Sequence, residues 1–157
     1  MKAATANEIK QRLKDLDKKD LMDLCLRLSR YKKENKELLT FLLFEADDLQ
    51  HYINSVKDEL DEIFAVVNTS SVFFAKKTIR KALRTANRYI RYAGDKTVEA
   101  EVLLHFCTNF QELKLDWKRS TLLSKIYYNQ IKKIGAAIDS MHEDLQYDYR
   151  RSYEQLK

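Results

Sequence analysis

Three histidines and the acids around them are the residues whose types and spacing suit metal chemistry. Asp48 stands three positions before His51, Asp139 three before His142, and Glu101 four before His105. A carboxylate-bridged metal pair in a helical bundle needs a Glu on each of two helices and Glu-x-x-His on two others, all aimed inward. At about 100° per residue, His51 lies roughly 160° from the apolar stripe of its helix. His105 and Glu101 face away from Phe106 and Phe110, His142 sits at a flank, and Asp139 is further out. The pattern predicts surface histidines and no metal or cofactor.

Nucleophilic catalysis has no footing either. There is no Gly-x-Ser-x-Gly elbow and no Cys placed near a His in a recognisable pattern. With only Gly94 and Gly135 in the chain, a glycine loop for phosphates is hard to build. The expectation is a chain that is not an enzyme. Glu45 is the exception to simple patterning, because it falls on the apolar side of its helix beside Leu42, Leu49 and Tyr52. A carboxylate there needs a partner or an altered pKa. Either it bonds a Tyr hydroxyl, Lys or Arg of another helix, or it lines a pocket.

The strongest charge feature is KKTIRKALRTANRYIR at 76–91, with seven basic residues and no acid. On a helical wheel its apolar positions Ile79, Ala82, Leu83, Ala86, Ile90 and Ala93 gather on one side. The cations spread over roughly 140° on the other. Thr78, Thr85 and Tyr92 form a neutral column beside them. Lys77, Lys81, Arg84, Arg88 and Tyr92 are the candidate residues for an anionic partner, the cations tracking phosphates and Tyr92 stacking a base. The competing expectation is a solvated face partly cancelled by neighbours. The segment 45–62 holds seven acids against Lys57. An antiparallel turn at Asn68–Ser71 places it beside 76–91, where Lys76, Arg80 and Arg91 are expected to meet its acids.

The elements that must position these groups are helices. The chain has 157 residues, no proline and two glycines, with 45% hydrophobic and 34% charged residues. That composition predicts a folded all-α protein, a single-domain antiparallel bundle of about five helices with short links. Thr5-x-x-Glu8 reads as a capping box for a helix to about Leu16. Asp17 caps a second helix bearing Leu21, Leu24, Cys25 and Leu28. These two make an N-terminal hairpin over 1–34, on or beside a bundle over 36–157. A long helix is expected from Lys36 to Val67, another from about Ser71 to Gly94, a fourth capped by Thr97, and a last one from Ser120 through Tyr149. Each stripe is read as one-sided, and Gly135-Ala136-Ala137 as a place of close helix packing.

Cys25 and Cys107 fall among apolar residues and are expected as buried, reduced thiols. The N-terminus has no apolar signal region, and LLTFLLF at 38–44 is too short to span a bilayer. A cytoplasmic location is the default expectation. The net charge of +5 is mild and does not by itself indicate nucleic acid.

The stretch EIKQRLKDLDKKDLMDLCLRL, residues 8–28, resembles the paired short helices of SAP-type nucleic-acid modules, without their glycine-bearing link. KKENKELLTFLLFEADD at 32–48, KKTIRKALR at 76–84 and MHEDLQYDY at 141–149 resemble stretches of uncharacterised bacterial helical proteins. That second likeness implies an all-helical fold and carries no activity or site residues with it. The expected function is a non-catalytic helical module that binds another macromolecule, protein in the first place. The alternative is phosphate-backbone binding through 76–91. A homo-oligomer is compatible with both.

Overall fold

The computed structural model describes all 157 residues. It is all-helical, with eight α-helices where the sequence suggested about five. They are α1 (Ala6–Lys14), α2 (Lys18–Tyr31), α3 (Lys33–Thr40), α4 (Leu49–Ala65), α5 (Val72–Ala93), α6 (Lys96–Glu112), α7 (Thr121–Asp139) and α8 (Glu143–Leu156). A π-helical turn, Phe41–Glu45, follows α3, and a 3-10 turn, Trp117–Arg119, precedes α7. No helix is long and apolar enough to cross a membrane.

Two expected helices are broken, each by a polar cap. The stretch read as one helix over 36–67 unwinds into the π turn, and Asp48 then accepts the His51 amide to start α4. The last helix stops at Ser140, whose hydroxyl donates to the Ala137 carbonyl, and His142 Nδ1 accepts the Asp144 amide to open α8. Short polar side chains compete with the helix for backbone partners, so they end helices that apolar periodicity alone would continue. The capping box Thr5/Glu8 and the cap Asp17 form as expected, and Ser71, the last residue of the expected turn, caps α5. Thr97 does not cap α6. Asp95 does, accepting the amides of Thr97 and Val98, because a carboxylate two positions before Thr97 reaches both.

Residues Met1–Phe44 and Glu45–Lys157 form two compact units. The division falls within the π turn, and α3 packs against α2 in the first unit. In the first unit, α1, α2 and α3 contain no buried residue, and Phe41 alone is buried among its residues.

The second unit is built around α6, which packs on α4, α5, α7 and α8. Val98, Ala100, Val102, Leu103, Phe106, Cys107 and Phe110 of α6 are all fully buried. Those positions spread over roughly 200° of the helix, broader than the stripe expected here, while Thr108 and Glu112 stay exposed on the remaining side. An aromatic cluster of Phe110, Trp117 and Tyr127 closes one end, with Trp117 and Tyr127 ring centres 4.7 Å apart. Gly135 provides the close approach anticipated for it. A Cβ there would lie 2.6 Å from the Tyr153 hydroxyl, so α8 folds back onto α7 across that glycine. Gly94 ends α5 in the left-handed region, φ 62°, and donates its amide to the Ile90 carbonyl.

Candidate functional site

The residues with chemical potential divide among three polar clusters, one cationic ridge and one open apolar layer. On α5, burial centres on Ala75, Ile79, Ala82, Thr85 and Ala86. That face is turned roughly 40° from the apolar centre read off the sequence, toward Thr85 and Arg88. Thr85, placed in the outer neutral column by the sequence, is therefore buried.

The same turn decides which cations meet α4. Lys76, Arg80 and Arg91 were expected against its acids, but Arg88 takes that place, 3.9 Å from Glu59 and lying over the Tyr89 ring at 4.9 Å. Lys76 instead sits over the Phe73 ring at 5.5 Å. Tyr89 donates to Glu59 at 2.6 Å, and Tyr52 donates to the Tyr89 carbonyl at 2.9 Å. Tyr92 packs edge-on to Tyr89, 6.0 Å between ring centres. Arg88 and Tyr92 are thus drawn into an α4–α5 contact. Lys77, Arg80, Lys81, Arg84 and Arg91 stay exposed and form no ion pair. They make a band about 21 Å long. Burial pushes the Tyr89 hydroxyl above its ordinary pKa, with the Glu59 carboxylate adding to it.

Glu45 ends the π turn half-buried. The tyrosine beside it on the wheel, Tyr52, gives its hydroxyl to the Tyr89 carbonyl. Burial raises the Tyr52 pKa strongly, and the Glu45 charge is one of several nearby groups that add to the effect.

The histidines do not converge. His51 is exposed, His142 caps α8, and His105 bonds Asp61 at 2.6 Å. No group of three or more His, Cys, Asp or Glu side chains is placed to hold a metal ion. Two of these residues are corrected from the outward positions read off the wheel. His105 is a quarter exposed and shares Asp61 with Asn109. Glu101 is mostly buried, where it takes Lys57 of α4 at 2.6 Å and the Tyr149 hydroxyl of α8 at 2.9 Å. Through these two residues the polar flank of α6 meets α4 and α8. Burial first, and then the Glu101 carboxylate, raise the Tyr149 pKa. Cys107 is buried as expected, and its thiol is pushed up to about 12 by burial. Cys25 is exposed, against expectation, because the leucine stripe of α2 is left open.

That open layer is the feature the sequence did not signal. Apolar spacing in α1–α3 reads as a core face, yet Ile9, Leu16, Leu28, Leu38 and Leu42 are all exposed. Between α2 and α3 runs a groove of about 310 Å³ lined by Cys25, Leu28, Asn35, Leu38, Leu39 and Leu42. Asn35 fixes the pair by donating to the Leu28 carbonyl at 2.9 Å. A second groove lies between Leu24 of α2 and Ile9 and Leu13 of α1, with Leu16 just beyond that helix. A third, along α2, is lined by Leu24, Arg27, Leu28 and Tyr31. No protein-family model, curated protein or solved structure matches this chain. The two resemblances noted above therefore rest on the residues quoted for them.

Proposed function

We propose that this chain is a non-catalytic helical module whose α1–α3 layer binds another protein. The observation that carries the reading is the leucine-rich face of that layer: three amphipathic helices, none with a buried residue. Ordering a residue costs about 1–2 kcal/mol of backbone entropy, which helices offset mainly by burying an apolar face. A contiguous apolar surface of this kind, rimmed by Lys, Arg, Asp and Glu, is the usual form of a protein-docking site. Helix-in-groove contact, with anchors at i, i+3, i+4 and i+7, matches the spacing of Leu21, Leu24, Cys25 and Leu28.

Affinity purification of the full chain from its native host, compared with a Leu21→Glu/Leu28→Glu variant, tests this. Protein recovered with the wild type and lost with the variant is the expected result. An unchanged set of recovered proteins overturns the reading.

A second reading has its own observation, the band of exposed unpaired cations Lys77, Arg80, Lys81, Arg84 and Arg91. It supports contact with a phosphate backbone, and the cation set shifts from the one read off the sequence by exchanging Arg88 for Arg80 and Arg91. Salt titration of binding to a mixed-sequence RNA or DNA separates the two readings. Phosphate contact predicts steep weakening with salt and loss in Arg80→Glu/Arg84→Glu.

A further inference from the structure

Resting on the protein-binding reading, we infer that the occupant of the α1–α3 layer is a second copy of this chain, docked antiparallel along α2. The apolar stripe of α2 reads the same in both directions about the point midway between Leu24 and Cys25. An antiparallel copy would set Leu21 against Leu28 and Leu24 against Cys25, as an isologous two-fold contact requires.

Charge favours the same arrangement. The acids Asp17, Asp20 and Asp23 all precede that midpoint, and Arg27, Arg30, Lys32 and Lys33 all follow it. Asp20 and Arg27 fall roughly 20° apart on one flank of the stripe. In the antiparallel pair each Asp20 comes level with Arg27 of the second copy to within about 3 Å along the axis. This is the flanking-charge pairing that sets orientation in helical dimers. Lys19 points away from the stripe, and Lys18 lies on its opposite flank.

Size sets a further condition. A helix of 14 residues is about 21 Å long, so α2 alone falls short of the roughly 1,200–2,000 Å² that a stable interface buries. The remainder must come from Ile9 of α1 and Leu16 just after it, and from Leu38 of α3 and Leu42 of the π turn, which are exposed in each copy.

The test combines sedimentation equilibrium on the full chain with cross-linking by a short bis-maleimide. Cys25 is exposed and close to the proposed two-fold axis, while Cys107 is buried. The inference expects twice the chain mass at micromolar concentration and a cross-link that Cys25→Ser removes. Leu21→Glu/Leu28→Glu should give the monomer mass. Because that variant also alters the layer itself, the charge pair is tested separately. Asp20→Arg and Arg27→Asp should each weaken the dimer at least tenfold, and the double exchange should restore it.

A monomer at all concentrations whose α1–α3 face binds a different protein overturns the inference and leaves the protein-binding reading standing. A monomer whose face binds no protein overturns both. A dimer that survives Leu21→Glu/Leu28→Glu and gives no Cys25 cross-link lies elsewhere on the chain and also overturns the inference.

Discussion

The Tyr153 hydroxyl occupies the space into which a side chain on Gly135 would grow, 2.6 Å from the position of a Cβ. Alanine is favoured over glycine within a helix by about 1 kcal/mol. Here that gain is opposed by displacement of Tyr153, which also carries Lys157 over its ring at 4.5 Å. Gly135→Ala is therefore expected to be near neutral or destabilising in the wild type and stabilising by about 1 kcal/mol in a Tyr153→Ala background. Chemical denaturation of the four proteins in that double-mutant cycle measures the coupling, and additive effects would remove the contact from the account.

Tyr127 ties the end of the chain to its core. It donates to the Leu156 carbonyl at 2.6 Å and accepts from Gln111 at 2.7 Å. Tyr127→Phe leaves the Leu156 carbonyl with only its longer contact to Gln111, 3.4 Å, at a cost of about 0.5–1.5 kcal/mol. Hydrogen exchange should show the loss as faster exchange concentrated in α8, with α4 and α5 unchanged.

Gln130 is buried, its Nε2 donates to the Ile126 carbonyl, and its Oε1 has no partner. Gln130→Met has similar length and removes the unpaired oxygen. The variant is expected to be as stable as the wild type or more so by about 1 kcal/mol, read as a rise in denaturation midpoint. A loss of more than that would show that the amide has a role the contacts do not explain.

Alkaline pH should unfold the protein, with a sign that follows from the direction of the shifts. Burial raises the Cys107 thiol to about 12 and Tyr127 to about 12, and it also raises Tyr52, Tyr89 and Tyr149. A group whose folded pKa is raised contributes its stability fully below its unfolded pKa. That contribution is lost as pH climbs toward the folded value. Stability should therefore fall from about pH 9, where an unfolded thiol ionises, and more steeply above about pH 10, where unfolded tyrosines do. Melting temperature against pH gives the curve, and Cys107→Ala should flatten its first part.

The helical class, the capping box, the Asp17 cap and the close approach at Gly135 were all legible in the sequence, since each depends on local spacing. The breaks at Asp48 and His142 were not, because a leucine or isoleucine stripe carries the eye across a cap. Position within the bundle was the larger loss. Nothing local says that α4 and α8 flank α6 at Glu101, so Glu101 read as a surface acid when it joins Lys57 and Tyr149. On α5, a modest rotation of the buried face exchanged Arg88 and Tyr92 for Arg80 and Arg91 among the outward groups. The open layer of α1–α3 carries the same apolar signature as a core helix, and periodicity does not distinguish a face buried in its own chain from one left exposed.

The central claim is that this layer is a protein-docking surface, and site-specific photo-cross-linking tests it most directly. A photoreactive phenylalanine analogue placed at Leu28, in the full chain and in its native host, should give ultraviolet-dependent adducts to protein, whether a second copy or another chain. The same group at the exposed Asp58 of α4 should give none. No protein adduct from position 28, or equal adducts from both positions, would contradict the account.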